Sequence, residues 1–359
     1  MPKSIFLTPG PSELYFTVPD HIQTALRESI CEISHRSKQF ENVVRNTVSQ
    51  LRTLLNVPED YYVVFTGSAT EIWERSIQNL AMDTTYHFVN GSFSQKFYDF
   101  SIALKRHAVK FEVPAGQGFD LENLEIPAVA ELICVTENET SSGVTFPLSD
   151  IYKLREQYPD KLLIVDAVSI APYADLDLTK VDSMFFSVQK CFGLPSGLGV
   201  WIFNEKCVQK AEALQKEGLA IGTYHSILSL IKDAKNSQTP STPNMLGIYL
   251  LGKVAEDMNR KGVKAIRQEI DYKAALMYDV LSKNKKFELF VKEEKFRSQT
   301  VIVANLESES APLINQIKEQ GIVLGGGYGA LKARQIRIAN FPTHSKETFE
   351  KVADLIEKY

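Results

Sequence analysis

The sequence predicts an α/β protein with two parts, a large domain around a mostly parallel sheet and a smaller α+β domain at the C-terminal end. Three observations support this. In the first two-thirds of the chain, short apolar runs alternate with helical patterns. Most of these runs are apolar throughout, as expected of strands that helices cover on both faces. After about residue 243 the pattern changes to a long helical segment followed by shorter strands and helices.

The strand signals of the large domain are short runs rich in β-branched and aromatic residues. They fall at 61–65, 86–89, 108–113, 132–135, 162–165, 184–188 and 199–203. Helices are expected over about 69–81 and from about residue 94. Before all of these, residues 40–55 carry apolar side chains at the spacing of an amphipathic helix that packs on the core.

The second part follows the turn-rich stretch 238–243. A helical segment over 245–283 contains Gly247, Gly252 and Gly262, so we expect it to be broken. The remaining pattern predicts strands at 287–291, 300–304, 322–324 and 335–338, and helices at about 312–320 and 345–357. We expect a large domain over 16–243 and a small domain formed by 1–15 and 244–359.

Composition limits the possible functions. The 359 residues carry a formal net charge of −4, so there is no basic excess to neutralise a nucleic acid, and we expect no such partner. The four cysteines form no CxxC pair, which argues against a metal site or disulfides and favours a reducing compartment. No signal peptide and no membrane-length apolar run is recognisable. We expect a cytoplasmic protein that binds no metal and no membrane.

Lys190 is the most informative single residue. It stands in Ser187-Val188-Gln189-Lys190, just after the apolar run at 183–186, so a buried strand delivers it into a loop rich in Gly and Pro. A partly desolvated Lys amine has a lowered pKa and can form a Schiff base with an aldehyde such as pyridoxal phosphate (PLP). By position alone, a loop Lys with its ammonium in water is the commoner case.

Two further segments fit such a cofactor. Asp166 ends the strand at 162–165, and in an open α/β sheet ligands bind outside the carboxyl ends of the strands. Gly67-Ser68-Ala69-Thr70 opens a helix whose first amides can bind a phosphate. Either segment could also be an ordinary turn or cap. The rival loop at 325–329 lacks the Lys-Ser/Thr of a P-loop, and no GxGxxG follows the first strand, which disfavours a nicotinamide-dependent oxidoreductase.

The joint order of several motifs resembles the class V PLP-dependent aminotransferases, and within them the phosphoserine branch. The resemblance runs almost from end to end, through Thr8-Pro9-Gly10-Pro11, Ile33-Ser34-His35-Arg36-Ser37, Gly67-Ser68-Ala69-Thr70, Asn138-Glu139-Thr140, Asp166, Ser187-Val188-Gln189-Lys190, Ser241-Thr242-Pro243 and Arg337-Ile338-Ala339-Asn340. It implies fold type I with a seven-stranded sheet in the large domain, and a homodimer with shared active sites that acts on an amino acid and a 2-oxo acid.

The resemblance also implies how the cofactor ring is held. Lys190 would form the internal aldimine and later move the α-proton of the substrate. Asp166 would pair with the pyridine nitrogen, and Thr140 would bind the ring hydroxyl. Phe93 would stack on the ring, where this branch usually has Trp.

Five residues are implied for the cofactor phosphate, in two groups. Ser68, Ala69 and Gln189 would bind it from the same chain. Ser241 and Thr242 would reach it from a second subunit, although the family prefers Asn where this chain has Ser241.

The implied substrate contacts leave two specificities open. Arg337 would bind the α-carboxylate, and His35 and Arg36 of a neighbouring subunit would bind the distal phosphate or carboxylate of phosphoserine or glutamate. The branch has an Arg where this chain has Thr70, so one anion contact is missing. Thr70, the following Trp73-Glu74, and Asp166-Ala167-Val168-Ser169 instead resemble the alanine–glyoxylate and serine–glyoxylate branch.

Three other readings fit the residues less well. A cysteine desulfurase needs a nucleophilic Cys on a late loop, whereas the last Cys is Cys207. A non-enzymatic protein of the same fold predicts the loss of Lys190 or Asp166, and both are present. An NAD-dependent oxidoreductase would need the absent glycine fingerprint. Whether 4-phosphohydroxythreonine is a further substrate stays open.

Overall fold

The computed structural model describes residues 4–359. Its strands are β1 (Ile5–Leu7), β2 (Tyr62–Thr66), β3 (Thr84–Val89), β4 (His107–Glu112), β5 (Leu132–Thr136), β6 (Asn138–Glu139), β7 (Val144–Thr145), β8 (Leu162–Asp166), β9 (Ser183–Ser187), β10 (Gly199–Phe203), β11 (Phe287–Leu289), β12 (Val301–Leu306), β13 (Ile322–Gly326) and β14 (Gln335–Ala339). Its helices are α1 (Val18–Arg27), α2 (Lys38–Leu55), α3 (Ala69–Leu80), α4 (Ser92–Ala103), α5 (Leu148–Gln157), α6 (Glu205–Lys216), α7 (Ile227–Ala234), α8 (Met245–Lys261), α9 (Val263–Lys283), α10 (Ala311–Glu319) and α11 (Lys346–Glu357).

The larger sheet has seven strands in the order β2-β10-β9-β8-β5-β3-β4. The strands β4, β3, β5, β8 and β9 are mutually parallel, and β10 runs antiparallel to both β9 and β2. The predicted mostly parallel α/β sheet is therefore confirmed.

Helices cover this sheet on both faces. Along β8, Val165 packs into one hydrophobic cluster and its neighbour Ile164 into another, because successive side chains of a strand point to opposite faces. Every residue of β8 is buried. That two-sided burial explains why the central strands are apolar throughout.

The smaller sheet has five strands in the order β1-β13-β14-β12-β11. The N-terminal strand β1 is parallel to β13, and the other neighbouring pairs are antiparallel. Side chains of α9, α10 and α11 form the hydrophobic cluster of this sheet. Because β1 belongs to the smaller sheet, we propose that residues 16–243 form the large domain and that residues 1–15 and 244–359 form the small domain.

The long helical segment after residue 244 is broken, as predicted. The break is at Gly262, whose φ of +88° lies in the region that favours glycine. Gly247 and Gly252 lie inside α8. At Gly252 a Cβ would come within 2.3 Å of Thr47 Oγ1, so this glycine allows α8 to pack closely on α2.

None of the helices in the described part of the chain has the length and apolar character needed to cross a bilayer. No group of three or more His, Cys, Asp or Glu side chains within residues 4–359 has an arrangement that could hold a metal ion.

Candidate active site

A cavity lies at the carboxyl ends of three neighbouring parallel strands. Thr136 ends β5, Asp166 ends β8, and Ser187 ends β9, three residues before Lys190. Parallel strands place these ends at one edge of the sheet. The cavity is lined by Ala69, Thr70, Trp73, Phe93, Thr136, Asn138, Thr140, Asp166, Val168, Ser187, Gln189 and Lys190. The fold thus brings together six residues that were predicted to bind the cofactor, together with Thr70, which stands where the phosphoserine branch has Arg; the six are Ala69, Phe93, Thr140, Asp166, Gln189 and Lys190.

Lys190 is buried, with 6% of its surface exposed. Its Nζ donates a hydrogen bond to Thr140 Oγ1 at 3.0 Å and lies 5.0 Å from the centre of the Phe93 ring. Burial lowers the pKa of Lys190 to about 8, although the nearby Asp166 opposes the shift. At neutral pH a useful fraction of this amine is uncharged, as a nucleophile or base requires.

The loop of Lys190 is held by the N-terminal segment. The amide of Ser12 donates to the carbonyl of Gln189 at 3.2 Å, and the amide of Tyr15 donates to the carbonyl of Gly193 at 2.8 Å. At Gly10, where φ is +137°, a Cβ would lie 2.8 Å from Lys190 Cε. The early motif Thr8-Pro9-Gly10-Pro11 therefore contributes by close approach to the Lys190 side chain.

Asp166 is also buried, with 3% exposed. Its Oδ1 accepts from the amide of Val168 at 2.9 Å, and its Oδ2 accepts from Trp73 Nε1 at 2.8 Å. Burial raises the pKa of Asp166 to about 6, while both N–H donors and Lys190 act in the opposite direction. The side chain is thus an oriented carboxylate at neutral pH. The sequence analysis did not identify Trp73 as the partner of Asp166. The only indication in the sequence is that Trp73 lies one helical turn after Gly67-Ser68-Ala69-Thr70, which places its indole N–H near the predicted site.

The start of α3 is a turn of amides beside the cavity. Ser68 caps the helix, since its Oγ accepts from the amide of Glu71 at 3.1 Å. The amide of Ala69 donates to Ser187 Oγ at 2.8 Å, so this predicted phosphate ligand already has an acceptor within the chain. Gly199 makes room for the turn, because a Cβ there would lie 2.5 Å from the carbonyl carbon of Ser68.

Phe93 is placed by a buried carboxylate, Glu139. Its Oε2 accepts from the amides of Phe93 and Ser94 at 3.1 and 2.8 Å, at the start of α4. Its Oε1 accepts from Ser141 Oγ at 2.6 Å. A carboxylate at a helix N-terminus satisfies unpaired amides and the helix dipole. Glu139 belongs to the motif Asn138-Glu139-Thr140, in which the resemblance implied a role for Thr140 alone.

Arg337 connects the smaller sheet to this site. It lies half-buried on β14, and its guanidinium donates to the carbonyls of Gly326 at 2.8 Å and Thr140 at 3.2 Å. Its Cζ lies 5.3 Å from the centre of the Tyr328 ring. Burial lowers the pKa of Arg337. With no carboxylate among these contacts, the guanidinium is available for an anion.

The other four predicted residues form a separate cluster. His35 Nδ1 lies 3.2 Å from Thr242 Oγ1. Arg36 donates to Gln238 Oε1 at 2.9 Å and to the carbonyl of Pro240 at 3.3 Å. Ser241, next in the chain, contacts the hydroxyl of Tyr224. None of the four lines the Lys190 cavity of the same chain.

The residues around Lys190 fit PLP. The cavity offers an amine for its aldehyde, a carboxylate for its ring nitrogen and helix-start amides for its phosphate. Two buried atoms on the wall, Thr136 Oγ1 and Asn138 Oδ1, have no hydrogen-bond partner among the described residues. Because buried polar atoms are nearly always paired, these two indicate that the cavity takes a polar ligand.

Comparison with known proteins agrees with this chemistry. The profile of the family "Aminotransferase class-V" matches residues 6–337. A phosphoserine aminotransferase of Rhodococcus jostii (strain RHA1) is 27% identical over 358 residues, covering 97% of this chain and 93% of the relative. The crystal structure of a phosphoserine aminotransferase from Cytophaga hutchinsonii is 48% identical, with a TM-score of 0.98, and covers 100% of this chain and 99% of that one.

A more distant structure, the ureidoglycine–glyoxylate aminotransferase of Bacillus subtilis, is 19% identical with a TM-score of 0.84, and covers 100% of this chain and 93% of that one; at this identity the likeness concerns the fold alone. The chain is an aminotransferase whose cofactor is PLP, and it belongs to the class V aminotransferase family.

Proposed function

We propose that this enzyme is a phosphoserine:2-oxoglutarate aminotransferase of serine biosynthesis. In one half of a ping-pong cycle glutamate gives up its amino group, and in the other 3-phosphohydroxypyruvate receives it. The observation that carries the proposal is the 48% identity, over the whole chain, to a structure described as a phosphoserine aminotransferase.

The roles of the cavity residues follow from their contacts. Bound PLP supplies an electron sink for the bonds at the substrate α-carbon. Lys190, buried and partly uncharged at neutral pH, holds the cofactor covalently at Nζ and then moves the α-proton with the same atom. The carboxylate of Asp166 would hold the ring nitrogen of bound PLP in its protonated form. Thr140 binds the ring hydroxyl, and the half-buried Phe93 covers one face of the ring.

The phosphate of the cofactor is assigned to the start of α3 and to Gln189. Ser68 and Ala69 contribute hydroxyl and amide groups at the positive end of the helix dipole. For the Ala69 amide to reach a phosphate, Ser187 Oγ must give up its present bond to it. Gln189 lies on the cavity wall beside Lys190.

Arg337 is assigned to the α-carboxylate of the substrate. Its present acceptors are backbone carbonyls, and a charged carboxylate is a stronger, bidentate partner for a guanidinium. The contact with the carbonyl of Thr140 places this cation beside the residue to which Lys190 donates.

A homodimer with shared sites accounts for the separate cluster. His35, Arg36, Ser241 and Thr242 contact one another or each other's neighbours, but do not line the Lys190 cavity of their own chain. We assign Ser241 and Thr242 to the cofactor phosphate of the partner, and His35 and Arg36 to the distal anion of the partner's substrate.

The prediction of a cytoplasmic enzyme stays a prediction, supported by the four cysteines being unpaired.

A second candidate function is transamination between small amino acids and glyoxylate. Thr70 favours it, because this exposed wall residue of the cavity has a neutral side chain where the phosphoserine branch has Arg. A substrate without a distal anion would not need that cation.

A panel of amino donors distinguishes the two functions. The holoenzyme is mixed in single turnovers with phosphoserine, glutamate, alanine or serine, and the change in the visible absorbance of the cofactor is followed. Phosphoserine and glutamate should react fastest. A fifth donor, 4-phosphohydroxythreonine, tests whether the enzyme also has this sister activity. If alanine or serine reacts faster than both anionic donors, the phosphoserine assignment is wrong. A Lys190→Ala variant with an unchanged visible spectrum would contradict the cofactor role of Lys190.

A further inference from the structure

Trp73 lies on the cavity wall and donates a hydrogen bond to the buried side chain of Asp166. Its Nε1 lies 2.8 Å from Asp166 Oδ2. An indole N–H can donate but never accept, and its bond to an ionised carboxylate is stronger than one to a neutral carboxyl group, so the contact favours the ionised form of Asp166. The contact joins helix α3 to the end of strand β8.

The indole is held rigidly in this position. Only 4% of Trp73 is exposed. Its ring stacks on Phe97, with centres 5.9 Å apart and planes at 18°, and meets the edge of Phe100 at 5.8 Å. A donor that cannot rotate away fixes the oxygen to which it donates.

Asp166 needs such help because its burial favours the neutral form. Burial raises its pKa to about 6, whereas the hydrogen bonds from the Val168 amide and the Trp73 indole lower it. The amide of Val168 holds Oδ1, so the two N–H groups fix both oxygens and therefore the plane of the carboxylate.

We propose that Trp73 is a positioning residue for the cofactor. Its indole N–H keeps Asp166 ionised and turned toward the cofactor's ring nitrogen, and so sets the affinity for PLP and the pH range in which the ring nitrogen stays protonated. The inference rests on the role proposed above for Asp166.

In the first experiment PLP is removed from the holoenzyme and from its variants by dialysis. The dissociation constant of PLP is then measured by adding it back near pH 6 and near pH 8. Trp73→Phe keeps a stacked ring and removes the N–H. Losing a hydrogen bond to a buried charge should raise the dissociation constant of PLP about ten- to hundredfold. The rise should be larger near pH 6, because the Asp166 carboxyl of the variant takes up a proton at a higher pH. Equal PLP affinity of variant and wild type at both pH values would overturn the proposal.

Trp201→Phe is the matched control. Trp201 is the second of two tryptophans in the chain, is fully buried, and donates to Ser183 Oγ at 2.7 Å in the same sheet. Its loss should affect stability but neither the PLP affinity nor its pH dependence. If Trp201→Phe changes both as Trp73→Phe does, the effect of Trp73 is structural and the proposal fails.

Two further variants separate the possible failures. Asp166→Asn alone tests the role of Asp166; unchanged PLP affinity would sink that role and not merely the part of Trp73. The double variant Trp73→Phe/Asp166→Asn should bind PLP no worse than Asp166→Asn, since the indole acts through the carboxylate. Additive losses would mean that Trp73 acts on the cofactor by another route.

Should Trp73→Phe fail to fold, an isosteric analogue replaces it. In the Trp201→Phe background Trp73 is the remaining tryptophan, so biosynthetic incorporation of benzothienylalanine changes this residue alone. The analogue keeps the bicyclic shape and lacks the N–H. It should reproduce the weaker, more pH-dependent binding of PLP, and wild-type binding by the analogue would contradict the proposal.

Discussion

Lys190 Nζ donates to Thr140 Oγ1 at 3.0 Å, and Thr140 in turn donates to Ser169 Oγ at 2.8 Å. The hydroxyl of Thr140 is therefore an acceptor oriented toward the ammonium form of Lys190. An acceptor of this kind favours the charged form of its donor, whereas burial lowers the pKa of Lys190 to about 8.

The rate at which the cofactor-free protein takes up PLP should rise with pH, with a midpoint near 8. Only the uncharged amine attacks an aldehyde, and the amine is uncharged above its pKa. Thr140→Val removes the acceptor that favours the ammonium, so its midpoint should lie at a lower pH. Thr136→Val is the control, because that hydroxyl lines the same cavity without a hydrogen bond to Lys190. Stopped-flow absorbance gives the profile, and a midpoint that does not move in Thr140→Val would count against the contact.

Gly91→Ala should weaken both the fold and cofactor binding. The added Cβ would lie 2.4 Å from Glu139 Cγ and 2.6 Å from Ser141 Oγ. Glu139 would have to leave the amides that place Phe93, at a cost of about 1–3 kcal/mol in the free energy of unfolding. Gly326→Ala is matched, since nothing lies closer than 3.8 Å to its Cβ. Urea unfolding and PLP titration measure the two effects, and equal stabilities of the two variants would show that Glu139 can give way.

The larger part of this site could be predicted from sequence because parallel strands align their ends. Asp166 and Lys190 each follow an apolar run, and the direction of the strands brings both to one edge of the sheet. The antiparallel direction of β10 could not be predicted, because an apolar run reads alike in either direction.

The supporting residues were missed for a different reason. Trp73 and Glu139 act through partners 93 and 45–46 positions away in the chain, and such pairs depend on how α3 and α4 pack on the sheet. A Trp in a helix and a Glu in a loop are each common, and the sequence does not show that this Glu is buried and paired. The sequence motifs therefore locate the segments that contain Trp73 and Glu139, but they do not predict which residues these two side chains contact.

Glu137 should make the protein less stable as the pH rises. It is 1% exposed, and its Oε2 has no hydrogen-bond partner within the described residues. Burial, with a smaller contribution from the charge of Asp166, raises the pKa of Glu137 from 4.5 to about 8. Between these values the folded state holds a proton that the unfolded state has released, so the free energy of unfolding falls with rising pH by up to about 1.4 kcal/mol per unit.

Glu137→Gln should remove this slope, because an amide does not titrate. The stability of the variant relative to wild type should therefore increase between pH 5 and pH 8, in urea unfolding of equally PLP-loaded proteins. Glu122→Gln, at an exposed position, serves as the control. A constant difference between Glu137→Gln and wild type across this range would show that Glu137 is ionised throughout.

The Arg36→Ala variant should slow the reaction with donors that carry a distal anion far more than the reaction with alanine as the donor. A guanidinium that pairs with a phosphate is a charge-assisted contact whose loss should raise the KM of phosphoserine about tenfold or more. Arg36 also contacts Gln238 and Pro240, so a purely structural effect would lower the rate with every donor alike. Arg45→Ala, whose side chain contacts Asn42 on the same helix, should leave both donors unchanged.

Mixing two impaired variants tests whether the sites are shared between subunits. Lys190→Ala lacks the reacting amine and should be inactive, and Arg36→Ala lacks the distal cation and should be about tenfold or more slower with phosphoserine well below its KM. In a hybrid dimer one site would combine the intact Lys190 of one chain with the intact Arg36 of the other. Random reassembly makes about half of the dimers hybrid, which restores up to about a quarter of the sites. The hybrid dimers are separated by an affinity tag on one variant. If they are no more active with low phosphoserine than the mean of the two parent variants, Lys190 and Arg36 of the same chain form one site.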